Sequence, residues 1–169
     1  MVEPIRIVEY NPSWVSMFEM VRNFVTPVLT DIVVAIEHVG STSFPGLSAK
    51  PIIDMDVVVN SQAEVLIAIQ RLESIGYIHQ GDLGISGRAA FASPDGLPPH
   101  HLYVCETSNA ELKRHILFRE YLRSHPDEAN EYGELKQELA QRFRNDRVSY
   151  TNSKAEFIKE MLKLAGWQD

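Results

Sequence analysis

Cysteine is almost missing from this chain: Cys105 is the one thiol among 169 residues. No intramolecular disulfide can form, and a reducing compartment fits. Long apolar runs are missing too, and none approaches the roughly 20 residues that a membrane-spanning helix needs. The start Met1-Val2-Glu3-Pro4 has no basic n-region and no apolar h-region, so no secretory leader is expected. Positive charge is in deficit, with a formal net charge of −7. That weighs against a broad grip on nucleic-acid backbone, while leaving room for a small basic pocket sized for a mononucleotide. Repeats, low-complexity tracts and linkers are absent. Residues 1–169 therefore read as one cytoplasmic domain, with no nucleic acid and no membrane among its partners.

What is present is ordinary globular composition, 44% hydrophobic and 23% charged. Trp14, Val15, Phe18, Val21, Val25 and Val28 keep helical spacing, with Ser13 as the expected N-cap and Pro27 as a stop or kink. Residues Ile32 to Val39 read as a strand, Gly40 to Ala49 as a structured loop with a turn at Pro45-Gly46, and Pro51 to Val59 as a strand buried on both faces. Asn60-Ser61 opens a helix through Val65, Ile69 and Leu72 that ends at Gly76. Short strands follow at Tyr77-His79, Arg88-Ala92 and His101-Cys105, the last two joined as a hairpin through Pro94-Asp95-Gly96. From about Ser108 three helices run to the end. The class is α+β.

Asp54 and Asp56 carry the strongest chemical signal. Two residues apart on a strand, they share a face, and adjacent carboxylates in an apolar setting repel. A divalent cation relieves that repulsion, and an all-oxygen donor set suits Mg²⁺ or Mn²⁺. The plainer alternative is that one Asp ends the strand and the other pairs with an Arg or Lys, although three valines after Asp56 argue against a strand end. Gly40-Ser41-Thr42-Ser43 directly follows a strand. Its glycine permits close backbone approach, and its amides and hydroxyls can hold phosphate oxygens. A phosphate-holding turn beside a two-carboxylate strand is what phosphoryl or nucleotidyl transfer requires. Lys50, held extended before Pro51, is a candidate phosphate contact, and Arg88 is a second.

His38-Val39-Gly40-Ser41-Thr42-Ser43, Pro45-Gly46-Leu47 and Lys50-Pro51-Ile52-Ile53-Asp54 resemble the GrpB family. So do Gly87-Arg88, His100-His101-Leu102, Leu117 to Arg123, and Tyr150 with Lys154 and Phe157-Ile158. The segments recur in order over nearly the whole chain. GrpB-like domains are also found fused to dephospho-coenzyme A kinases. The resemblance implies a nucleotidyltransferase-like fold, a mixed β-sheet with flanking helices and a helical C-terminal part. It further implies that Gly40 and Ser41 hold nucleotide phosphates and that Asp54 and Asp56 hold metal. Active members of that fold usually carry a third acid on a later strand, where this chain has His101. Imidazole can serve there as base or ligand, or catalysis has been lost; Glu106 is a fallback acid. Zinc at His100, His101 and Cys105 is a weak alternative, since adjacent strand residues face opposite ways. Arg119 with Arg123, Tyr132 with Lys136 and Tyr150 with Lys154 stand one helical turn apart and read as solvated or ion-paired faces, and His79, His115 and His125 carry no signal.

Two functions follow as expectations. The first is an enzyme transferring a nucleoside monophosphate from a nucleoside triphosphate to a small-molecule or protein acceptor with Mg²⁺. The second is a nucleotide- or coenzyme-binding module without turnover. A purely structural domain leaves the two strand carboxylates unexplained.

Overall fold

The computed structural model describes residues 3–169; Met1 and Val2, half of the stretch read for a leader, lie outside them. Helix α1 (Ser13–Leu29) leads into strand β1 (Ala35–Val39), a short 3-10 turn at Ser41–Ser43 and strand β2 (Ile53–Val59). Helix α2 (Gln62–Ser74), the strands β3 (Ile78–His79), β4 (Arg88–Ala92) and β5 (His100–Glu106), and the helices α3 (Ala110–Ser124), α4 (Pro126–Arg142) and α5 (Arg147–Leu164) complete the chain.

The five strands form one mixed sheet in the order β1-β2-β5-β4-β3. β2 and β5 run parallel at its centre, and the other neighbours are antiparallel. β5 returns beside β2 only after α2 and the β3–β4 ribbon, and β2 is buried almost continuously because it has a strand on each side and helices on each face. On one face Ile53, Met55, Val57 and Val59 meet Leu102 and Val104 and pack under Trp14, Phe18, Val21 and Val25 of α1 and Val65, Ala68 and Leu72 of α2. A separate apolar cluster joins Phe44 and Leu47 of the loop to Leu122 of α3, Tyr132 of α4 and Met161 of α5. The loop is thereby fastened to the helical part as well as to the sheet.

Local chemistry sets most boundaries. The Ser61 hydroxyl accepts from Glu64 N–H and the Asn109 side chain from Leu112 N–H, each relieving a free donor at a helix start. Ser13 is not the cap of α1: it is already the first helical residue, and the Asn11 side chain accepts its N–H. Pro27 sits inside α1, which continues to Leu29. The strand expected from Ile32 begins at Ala35, because Ile32 and Val33 are drawn back to α1 by hydrogen bonds to Leu29 O. Likewise β2 begins at Ile53 rather than Pro51.

Candidate functional site

Gly40 ends β1 at φ 72°, ψ −173°, a conformation in which a side chain is strained. A Cβ there would overlap Asp54 Oδ2, so the turn presses its backbone directly against the carboxylate. Beyond it the 3-10 turn consumes two of its own hydroxyls. Ser43 Oγ donates to Gly40 O at 2.6 Å, and Thr42 Oγ1 is bonded to His38 Nε2 at 2.9 Å. Burial pushes the His38 imidazole down to about 4, so it is neutral at pH 7. Of the Gly40–Ser43 segment, Ser41 and Thr42 line the adjoining cleft, and Ser43 is buried.

Sheet register fixes the rest. Asp54 stands opposite His101 and Asp56 opposite Tyr103 across β2 and β5. Asp54 Oδ1 accepts from or pairs with His101 Nδ1 at 2.9 Å, and both are partly open to solvent. Asp56 differs: it is 2% exposed, and its Oδ2 is held by His115 Nδ1 of α3 at 2.8 Å. The His115 Nε2 in turn meets Glu111 at 3.3 Å. Burial opposes the charge on this ring, but the hydrogen bonds to Asp56 and Glu111 outweigh it and lift His115 to about 9. A charged imidazolium therefore bridges two carboxylates at neutral pH. The like-charge repulsion expected between the two aspartates is answered by this histidine.

Around Asp54 the helical part supplies cations. A cleft of about 150 Å³ is lined by Ser41, Asp54 and His101, and by Lys50, Lys136, Arg147 and Lys154. α5 contributes Arg147, Tyr150 and Lys154 at helical spacing on one face, and α4 contributes Lys136. Lys50 and Lys154 lie over the Tyr150 ring, at 4.7 and 4.5 Å. Lys136 lies 4.7 Å from the Tyr132 ring centre. It is 2% exposed, and its buried Nζ has no hydrogen-bond partner among the described residues. Burial first, then the neighbouring Lys154 and Lys50, hold Lys136 down at about 7; burial and Lys50 hold Lys154 at about 8. An unpartnered buried ammonium is costly, and its cost is removed by an anion in the cleft.

The expected site residues thus separate. Gly40, Ser41, Thr42, Lys50, Asp54 and His101 meet at one place. Arg88 does not line the cleft: its guanidinium lies 4.1 Å over the Tyr103 ring, and its Nε donates to Asp82 O. Glu106 pairs with Val59 at the far end of β5, five residues from His101 and on the opposite sheet face, so it cannot act as a substitute acid. His100 is buried against the Tyr77 hydroxyl and Pro98 O. Among the described residues no group of three His, Cys, Asp or Glu side chains gathers to hold a metal, which leaves the zinc reading without a donor set. For a hard divalent cation, Asp54 is an accessible oxygen donor, whereas Asp56 can join only if His115 swings away. With Asp54 alone open, phosphate and water would have to supply most of such an ion's shell. Sequence reading missed His115, whose signal was the Glu111/His115 spacing on α3. It also left Lys136 and Lys154 on solvated or ion-paired faces, although the Tyr132/Lys136 and Tyr150/Lys154 pairs were legible, and it did not single out Arg147.

The family model described as GrpB protein matches residues 4–164. UPF0157 protein YqkA of Bacillus subtilis is 37% identical over 155 residues, covering 92% of this chain but 45% of that protein. Glutamate-rich protein GrpB of Alkalihalophilus pseudofirmus is 35% identical over 161 residues and is covered over 92% of its length. A dephospho-CoA kinase of Mycolicibacterium paratuberculosis is 26% identical over 192 residues, covering 98% of this chain and 47% of that protein. The chain therefore corresponds to a whole protein in one relative and to about half of a longer one in others. Among solved structures, conserved protein GrpB from Enterococcus faecalis superposes with a TM-score of 0.85 at 38% identity, over 95% of this chain and 96% of that one. Cid1 in complex with its short product ApU superposes with a TM-score of 0.53 at 13% identity, over 77% of this chain and 40% of that one. That second likeness concerns the fold, which is nucleotidyltransferase-like. The match over residues 4–164, together with these relatives, makes the chain a member of the GrpB family.

Proposed function

We propose that the cleft binds the polyphosphate of a nucleoside triphosphate with Mg²⁺ (or Mn²⁺), and that the protein transfers the nucleoside monophosphate to a small-molecule or protein acceptor. The carrying observation is the convergence of Lys50, Lys136, Arg147 and Lys154 on Ser41 and Asp54, with the Lys136 ammonium buried and unpaired. In a chain of net charge −7, such a concentration of cations points to a polyanion. The lysines and Arg147 would hold the terminal phosphates, and the Gly40-Ser41-Thr42 backbone would cradle them. Asp54 would hold the metal, with Asp56 joining on release from His115. The ion, when bound, neutralises phosphate charge and polarises the phosphorus centre. His101 orients Asp54, and it is the group placed to take a proton if the acceptor is a hydroxyl or amine. The polyphosphate-bearing cofactors named by the Cid1 structures lend the reading support through the shared fold.

Calorimetry with Mg²⁺ and nucleoside triphosphates or inorganic tripolyphosphate tests the binding, and pyrophosphate release tests the transfer. Lys136→Met should weaken polyphosphate binding by about tenfold or more, as loss of a charge-assisted contact does. Unchanged affinity in that variant would remove the basis of the reading. The second reading, a nucleotide- or coenzyme-binding module without turnover, is favoured by Asp56 buried beneath His115 and by a histidine where a third acid is usual. It expects saturable binding with no pyrophosphate released for any acceptor.

A further inference from the structure

A second cavity of about 310 Å³ opens between α3 and α5 beside the cationic cleft. It shares Ser41 and Lys154 with the cationic cleft, so the Gly40-Ser41 turn stands between the two cavities. Its walls differ in character. Phe118, Ala155, Ile158 and Leu162 give it an apolar body, whereas the first cleft is lined mostly by charged and hydroxyl groups. Its polar members are Arg114, His115 and Glu111 of α3, Tyr132 of α4, Lys154 and Thr151 of α5, and the shared Ser41. The Arg114 side chain is 41% exposed, with a long 3.5 Å contact to Glu111 and the Trp167 ring centre 6.0 Å away, but its Nε is buried with no hydrogen-bond partner among the described residues. The His115 imidazole is already committed to Asp56 and Glu111. Arg114 is thus the cation left for a ligand here, Lys154 being shared with the first cleft. A neutral guest would leave the Arg114 Nε unsatisfied, at the cost such groups carry; an oxyanion would not.

The position of the cavity adds a chemical constraint. A nucleophile must approach the reacting phosphorus from the side opposite the leaving pyrophosphate. With the terminal phosphates held among Lys50, Lys136, Arg147 and Lys154, an acceptor seated in the second cavity would reach the same Ser41 turn that lines the first. His101 lines the first cleft and not the second. A hydroxyl or amine acceptor arriving from the second cavity would lack its base. An acceptor that is already an anion needs none.

We propose that this cavity seats the acceptor, and that the acceptor is a small acid with an apolar body whose own carboxylate or phosphate oxygen attacks the α-phosphorus. The inference rests on the polyphosphate reading of the first cleft. In the step, an oxygen lone pair of the acid forms a bond to the α-phosphorus. The bond from that phosphorus to the bridging oxygen breaks, and pyrophosphate leaves with the electron pair. No proton moves, and the product is a mixed anhydride of the acid with the nucleoside monophosphate.

The test uses two probes, 2-naphthoate for the carboxylate source and phenyl phosphate for the phosphate source, titrated by calorimetry with and without Mg²⁺-tripolyphosphate. At least one acid should bind alongside tripolyphosphate. Arg114→Met should weaken that acid about tenfold, and Ala155→Trp, placed on an exposed wall of the cavity, should abolish its binding. Both variants should still bind tripolyphosphate, which also shows that they are folded. Incubation of the bound acid with a nucleoside triphosphate, Mg²⁺ and hydroxylamine should give a hydroxamate if the carboxylate is the nucleophile. Four results would overturn the assignment. They are failure of both acids to bind, indifference to Arg114→Met and Ala155→Trp, competition between acid and tripolyphosphate, and displacement of the acid by a free nucleoside. If tripolyphosphate itself fails to bind, the reading of the first cleft falls, separately from the behaviour of the acids.

Discussion

Asp54 and Asp56 are two residues apart and share a sheet face, yet their surroundings give them different work. Asp54 lies at the edge of the cleft with a partly exposed carboxylate, while Asp56 is sealed beneath α3 and paired with His115. Removing one partner of a buried ion pair leaves the other uncompensated. Asp56→Asn should therefore cost about 1–3 kcal/mol in a urea melt, whereas Asp54→Asn should cost much less. The reverse order would mean that the pair repels in the folded state, as the sequence reading had expected. Lys136 makes the opposite contribution. Burial holds it at about 7, below its ordinary value near 10.5, so between these values the unfolded chain binds the proton more readily. Unfolding free energy from this group rises with pH across that window. His115, raised from 6.5 to about 9, contributes fully below 6.5 and loses its contribution as pH rises through 9. The two slopes oppose each other between pH 7 and 9 and are separable by mutation. Lys136→Met should stabilise the protein by about 1–3 kcal/mol near pH 7 and remove the rising limb, and His115→Gln should remove the falling one. A stabilised Lys136→Met that no longer binds polyphosphate would be the trade-off expected of a functional residue.

At the scale of the element, the turn after β1 owes its shape to one glycine. Gly40 has a backbone conformation that side chains rarely adopt, and a Cβ would strike Asp54 Oδ2. A substitution here therefore strains the turn and displaces a site carboxylate together. Gly40→Ala should lower stability by about 1–3 kcal/mol and abolish polyphosphate binding, both readable in thermal melts with and without tripolyphosphate. Gly46, in the same loop, has open space at its Cβ position, so a side chain there would be strained by φ alone. α5 is the second element that makes the site. Capped by Asp146, it places Arg147, Tyr150 and Lys154 on the cleft, so cation positions depend on its first two turns being held in register against α4.

For the molecule as a whole, the cleft lies between the sheet end that carries Asp54, with the turn beside it, and the helices α4 and α5. A ligand gripping Ser41 and Asp54 on one side and Lys136 and Lys154 on the other ties these parts together. Mg²⁺-tripolyphosphate should stabilise the folded chain by about 2.7 kcal/mol at a hundred times its dissociation constant, visible as a saturable rise in Tm. The rise should shrink with added salt, since part of the attraction is long-range. No helix of the described residues is long and apolar enough to cross a membrane, and α1, with its apolar stripe, spends that stripe on the sheet.

The sequence alone determined the things that depend on neighbours in the chain. Periodicity marked all five helices, alternation and β-branching marked the central strands, and Gly40, Ser61 and the Asp54/Asp56 spacing were legible because each acts within a few residues of itself. Ordered motifs over most of the chain also carried the family and its fold. Tertiary structure decided which distant side chains meet. Asp56 met His115, 59 residues away, and Lys136 and Lys154 turned from a helix surface toward Asp54 because α4 and α5 fold back over the loop. Arg88 turned to Tyr103 instead. Local pattern reports a residue's preference for helix, strand or turn. Burial and charge partnership are set by the packing of elements far apart in sequence, and that packing made one aspartate a cleft group and the other half of a buried pair.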